Sequence, residues 1–238
     1  MKCIPVFFAV AASFILLSAY KENNANRNPS RPNSKPNIIF ILTDDQRWDA
    51  LGFAGNPIIK TPNIDGLARG GIYFKNAFAS TPICAASRAS LFTGLYERTH
   101  DYTFGKLPLS NQYMLESYPY LLRKAGYQTG FVGKFGVKVN KGIENAMFSV
   151  SKQTAWPYIK EIDGKKIHLA DINGNHAIDF IQSNKDQPFC LSLSFWSPHA
   201  DDDSKQQYFW PSYCDSLYTD ARIPLPSTAD PAFFNALP

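Results

Sequence analysis

Asp44 and Asp45 are adjacent carboxylates set at the end of an uninterrupted β-branched and aromatic run, Asn37-Ile38-Ile39-Phe40-Ile41-Leu42. Like charges side by side repel, so such a pair needs a cation or full solvation to stay ionised. Ligation by oxygen alone favours a hard divalent ion. Cys84 opens a second group, Cys84-Ala85-Ala86-Ser87-Arg88. A helix starting there aims unpaired N–H groups and the positive end of its dipole at any anion seated nearby. Arg88, one turn further on the same face, adds a guanidinium to that seat. Lys134 and His199 are the remaining candidates, a cation and a group whose ordinary pKa near neutrality suits proton transfer. Taken singly, Cys84 reads as a small buried hydrophobe and the others as solvated loop residues.

What unites them is the pattern of elements around them. The run from residue 37 to 42 looks like a strand buried on both faces of a parallel sheet. Residues 118–124 carry apolar side chains at helical spacing and stop at Gly126, after which residues 127–132 read as a strand that ends at Gly133-Lys134. The alternation recurs: a helix over 176–183, a strand over 188–196, then Ser197-Pro198-His199. This predicts an α/β fold with a mostly parallel central sheet flanked by helices. Ligands of open α/β sheets bind beyond the carboxyl ends of the strands, so Asp44, Asp45, Lys134 and His199 are expected to converge on one edge.

Residues 81–94, Thr-Pro-Ile-Cys-Ala-Ala-Ser-Arg-Ala-Ser-Leu-Phe-Thr-Gly, resemble the signature of the formylglycine-dependent sulfatases of the alkaline phosphatase superfamily: Cys-x-Pro/Ala-x-Arg, then a helix ending at Thr-Gly. Ala86 occupies the position where Pro is commoner. Thr43-Asp44-Asp45 is similar to the Thr-Asp-Asp that follows the family's first strand, and residues 61–68 to its Thr-Pro-Asn-Leu-Asp stretch, read here as the start of a scaffold helix with Asn63 or Asp65 available as caps. Residues 130–134 resemble the family's Gly-Lys segment, although Phe135-Gly136 stands where Trp-His is usual, so a histidine is missing at 136. Residues 195–199 resemble Phe-x-x-Pro-His.

The resemblance implies a sulfuric ester hydrolase acting on a sulfated carbohydrate or aryl sulfate. Cys84 would be converted to formylglycine by an export-coupled maturation enzyme, and its hydrated aldehyde would attack sulfur. Calcium would be bound by Asp44, Asp45 and the modified residue 84. Arg88 and Lys134 would neutralise the sulfate oxygens, and His199 would donate a proton to the leaving alcohol. The family also carries a later Asp-Asn-Gly segment and a further lysine that have no counterpart here, so the expected domain is the N-terminal portion of a sulfatase fold, over 37–238. Two rival readings are a phosphate or phosphonate ester hydrolase of the same superfamily and a non-catalytic fragment that binds sulfated glycans.

Bulk composition bounds the rest. The chain has 238 residues, 45% hydrophobic and 18% charged, as expected of a globular protein. Its net charge of +4 is scattered rather than gathered into a stripe, which argues against nucleic acid as a partner. Residues 1–20, one Lys and then an apolar run to Leu17, read as a secretory signal peptide too short for a stable membrane span, and 21–36 as a flexible polar linker. Secretion or a periplasmic location follows. That leaves Cys84, Cys190 and Cys214, an odd number for an oxidising compartment, so at least one is expected to be free, shared between chains or chemically used. The remaining histidines, His100, His168 and His176, and the three aspartates 201–203 read as structural or solvated.

Overall fold

The computed structural model describes residues 35–225 and 229–236. The leader expected over 1–20 lies outside the described residues, as does all but the end of the linker. Among the described residues no helix is long and apolar enough to cross a membrane.

Four strands form the central sheet: β1 (Ile38–Leu42), β2 (Gln128–Gly133), β3 (Val150–Gln153) and β6 (Phe189–Ser194). Their order is β1-β6-β2-β3 and every pairing is parallel. The expected α/β architecture is what the chain adopts. A separate antiparallel hairpin, β4 (Ile159–Ile162) with β5 (Lys165–His168), stands outside this sheet.

Helices cover both faces. After α1 (Pro62–Gly70), which buries none of its side chains, one side of the sheet carries α2 (Cys84–Thr93), the short α3 (Glu97–His100) and α4 (Asn111–Met114), α5 (Tyr118–Lys124) and α6 (Ile143–Met147). On the other lies α7 (Leu169–Ser183); α8 (Pro231–Phe234) is the last helix among the described residues. Strand alternation sorts the core into two halves. Phe131 of β2 joins Phe92, Phe135 and Phe148 in a cluster with ring centroids 5.2 to 6.4 Å apart. Its neighbour Val132 points the other way, to Leu191, Leu193, Ala177 and Phe180 beneath α7. Burying a phenylalanine side chain such as Phe131 is worth about 2 kcal/mol, so this cluster anchors α2 to the sheet.

One expectation is corrected. β1 is not buried on both faces: it lies at the sheet edge, and Ile39 and Ile41 are 48% and 52% exposed. In register these two sit beside Leu191 and Leu193, on the face that α7 covers only over β6 and β2.

Candidate active site

The sheet delivers three polar chain segments to one place. Beyond its last residue β1 continues alongside β6: the Phe195 amide donates to the Leu42 carbonyl at 2.8 Å, and the Asp44 amide to Ser197 at 3.3 Å. β2 does the same on the other side, the Lys134 amide donating to the Ser194 carbonyl at 2.9 Å. Gly133 makes that approach possible. Its φ is +102°, and a Cβ there would fall 1.8 Å from the Ser194 carbonyl oxygen, so no other residue fits.

The result is a buried charge cluster. Asp44, Arg88 and Lys134 are 5%, 4% and 8% exposed. The Lys134 ammonium donates to Asp44 Oδ2, and an Arg88 terminal nitrogen lies 3.5 Å from the same oxygen. Lys134 also sits over the Trp196 ring, 4.5 Å from its centroid, a cation–π contact strengthened by desolvation. The other terminal nitrogen of Arg88 donates to the Lys134 carbonyl at 2.7 Å and to the Ser194 hydroxyl. Two cations thus share one carboxylate. Burial lowers the Arg88 pKa from its ordinary value, against the opposing pull of Asp44, Cys84 and Asp45.

Cys84 begins α2, as the spacing implies. Ile83 is the N-cap and offers no side-chain acceptor, and the first turn holds no acid, so the helix end keeps its positive character for another anion. Cys84 is half-buried and is one of the electrostatic neighbours of Arg88. Gly136, two residues beyond Lys134 where the family pattern has histidine, also has a structural reason. Gly136 has φ of +67°, and a Cβ would meet Arg88 Cδ at 2.6 Å. A histidine at 136 is incompatible with this placement of the arginine.

Asp45 and His199 lie at the rim. Asp45 takes a left-handed backbone, φ +57°, tolerable for Asp, and its side chain is 63% exposed. His199 Nε2 is 3.6 Å from Asp45 Oδ2, and its Nδ1 faces the Ala200 carbonyl. The five residues singled out at strand and helix ends, with Asp45, are therefore brought together. Sequence reasoning missed Ser194, Trp196 and Tyr158. The Tyr158 hydroxyl donates to the His199 carbonyl at 2.6 Å and to the Trp196 carbonyl at 3.2 Å, fixing the histidine loop. Trp196 stood inside a recognised segment; Tyr158 carried no local signal.

The two carboxylates are the right kind of donor for calcium, being hard oxygens, but six to eight such oxygens are the norm for that ion. Among the described residues no group of three or more His, Cys, Asp or Glu side chains converges to hold a metal. Asp44 and Asp45 supply two carboxylates of the kind such a site uses, and Oδ2 of Asp44 is also engaged by Lys134 and Arg88.

The other polar candidates stay structural. His100 faces the Ser90 hydroxyl at 3.0 Å and accepts from the Tyr102 amide; burial lowers its pKa. His168 caps α7, accepting from the Ala170 amide at 3.1 Å. His176 lies within α7. Of the aspartates 201–203, Asp201 is buried within its turn, contrary to the solvated reading, while the next two are exposed. The cap of α1 also differs: Thr61 takes that position, its hydroxyl donating to Asp65 at 2.7 Å. Cys190 is 1% exposed in β6, its thiol pushed up to about 11 by burial, and no disulfide joins it to Cys84 or Cys214.

Comparisons with known proteins point to one family. A family model described as Sulfatase matches residues 36–222. The N-acetylglucosamine-6-O-sulfatase of Bacteroides thetaiotaomicron is 32% identical over 182 residues, 72% of this chain and 32% of the relative. An arylsulfatase of Clostridium perfringens is 30% identical over 82% of this chain and 49% of its own length. A solved structure of a protein in complex with its substrate D-glucosamine-2-N,6-O-disulfate superposes with a TM-score of 0.68 at 26% identity, over 82% of this chain and 40% of that one. The chain thus spans about a third to a half of the length of these curated relatives. Its parallel sheet is part of the alkaline-phosphatase-like fold of those enzymes, and the chain belongs to the sulfatase family.

Proposed function

We propose that this protein hydrolyses sulfate esters of carbohydrates, with position 84 as the nucleophile and Arg88 and Lys134 as the seat for the sulfate oxygens. The observation that carries this reading is the charge imbalance: two buried cations share the single carboxylate of Asp44, beside the uncapped start of α2. A buried surplus of positive charge is costly without an anion, and a sulfate ester supplies one. Relatives whose names specify sulfated sugars support the carbohydrate class.

Oxidation of Cys84 to formylglycine would supply a hydrated aldehyde, a stronger nucleophile than a hydroxyl side chain, and would need a maturation enzyme encountered on export. Calcium would be held by Asp44 and Asp45 with further oxygen ligands, and would supply extra charge neutralisation of the sulfate. The chain's own residues do the rest. Arg88, pinned by the Lys134 carbonyl and Ser194, holds a fixed donor toward residue 84. Lys134 screens the same oxygens from its perch on Trp196. His199, at the rim beside Asp45, carries a proton at Nε2 for the departing alcohol.

The test is mass spectrometry of the Cys84 peptide from exported protein, paired with assays on sulfate and phosphate esters of the same alcohol. An aldehyde at 84 with preferential sulfate release supports the reading. An intact thiol from a host that has the maturation enzyme, or faster phosphate release, refutes it. Metal binding is read separately: added calcium raises the melting temperature of the wild type and leaves that of Asp45→Asn unchanged.

A further inference from the structure

Away from the strand ends, the β4–β5 hairpin, the start of α7 and the segment 206–215 enclose a groove of about 540 Å³. That is the size of a small-ligand site. Two aromatic side chains on it stand in solvent, Trp210 at 52% and Tyr213 at 70% exposure. Exposed rings ordinarily turn freely, yet both are tethered by their polar edges. Trp210 Nε1 donates to Asp215 at 2.8 Å, and the Tyr213 hydroxyl donates to Asp171 at 2.9 Å. Their polar atoms are satisfied and their faces are held ready for contact, which lowers the entropy lost on binding. Trp210 and Asp215 also border a second cavity of about 400 Å³, so open space adjoins the indole in two places.

Lys166 of β5 adds a cation to the larger cavity. Its inner wall, the buried His168 and the half-buried Phe209, stacks on Tyr158 with centroids at 5.5 and 5.9 Å. Tyr158 is the residue whose hydroxyl holds the His199 and Trp196 carbonyls, so one tyrosine separates this groove from the candidate active site.

We propose that the groove is a glycan-binding site that takes sugar units of a sulfated polysaccharide, with Trp210 and Tyr213 as stacking platforms and Lys166 pairing with a sulfate. Pyranose rings are amphipathic: their C–H faces suit fixed aromatic faces and their hydroxyls suit the second carboxylate oxygens of Asp171 and Asp215. A polymer seated here and continuing past Tyr158 would present its ester to the candidate active site. That linkage to the active site rests on the sulfate-ester reading above, whereas the binding of glycan by the groove does not.

The experiment is affinity electrophoresis of the full chain in native gels containing heparin, chondroitin sulfate, carrageenan or ulvan, each beside its desulfated form. The wild type is expected to be retarded by at least one sulfated polymer. Trp210→Ala with Tyr213→Ala is expected to bind it about tenfold more weakly with an unchanged circular dichroism spectrum. Lys166→Ala is expected to lose the preference for the sulfated form. No retardation of the wild type by any polymer, or equal retardation of the double variant, overturns the proposal. So does self-association of the wild type that the double variant abolishes without any retardation, since the groove would then dock a second copy. Retardation without sulfate release from any ester sinks the sulfatase reading and leaves the groove standing.

Discussion

Asp44 is the residue on which two cations depend. Replacing it with Asn keeps the shape and removes the charge, leaving Arg88 and Lys134 buried without a counterion. The expected cost is about 3 kcal/mol, read as a lowered urea midpoint, together with loss of any ester hydrolysis. Lys134→Met should cost less stability, because Arg88 still pairs with Asp44; a larger loss for Met than for Asn would contradict the shared-carboxylate arrangement. Gly136 gives a sharper test. Histidine there restores the commoner family residue but places a side chain on a φ of +67° against Arg88 Cδ. The expected outcome is destabilisation by about 2 kcal/mol and a melting temperature below wild type. A Gly136→His variant as stable as wild type would mean that Arg88 has another resting place. The sequence showed that the histidine is absent at 136; only the arginine's path shows why glycine is present.

At the scale of elements, two buried histidines make the fold pH-sensitive. Burial lowers the pKa of His100, which braces α2 through Ser90, and of His168, which caps α7. A depressed folded value means that the unfolded chain binds more protons below the ordinary value of 6.5. Stability is therefore full above that value and falls as pH drops from it through the folded pKa. Urea midpoints taken from about pH 7.5 to about pH 5 should decline, and His100→Gln with His168→Gln should flatten the slope. An equal slope in the double variant would place the sensitivity elsewhere. Elements were legible where periodicity was strong: α5, β2 and β6 fall where the pattern puts them, whereas α7 begins at Leu169, well before the expected 176. The β4–β5 hairpin was missed although Asp163-Gly164 between apolar-alternating runs is a hairpin signal. β1 was read as doubly buried because its run is wholly apolar; periodicity reports what a strand can bury, not whether a neighbour is there to bury it.

Across the whole molecule, the converging site was legible because three chemically loaded groups follow three strands. The partners that tie them together, Ser194, Trp196 and Tyr158, were not, since their roles arise from contacts between segments distant in sequence. The exposed Ile39 and Ile41 belong to this scale as well. No strand among the described residues pairs with the outer edge of β1. An open apolar edge is a site of self-association, so the 238-residue chain alone is expected to form concentration-dependent assemblies in light scattering. Ile39→Lys with Ile41→Lys should reduce them without loss of the far-ultraviolet helical signal. Undiminished assembly in that variant would point to another surface.

The anchoring of Arg88 has one more implication. A guanidinium riveted to a main-chain oxygen and a serine cannot swing out to greet an incoming molecule, so the visitor must travel the full distance. Asp44, Arg88 and Lys134 are walled in while the Asp45 side chain stands in open water, so Asp45 marks the exposed side of the cluster. Under the proposed hydrolysis, ester and released anion would share that open side, and a change of charge at position 45 would alter entry and exit together.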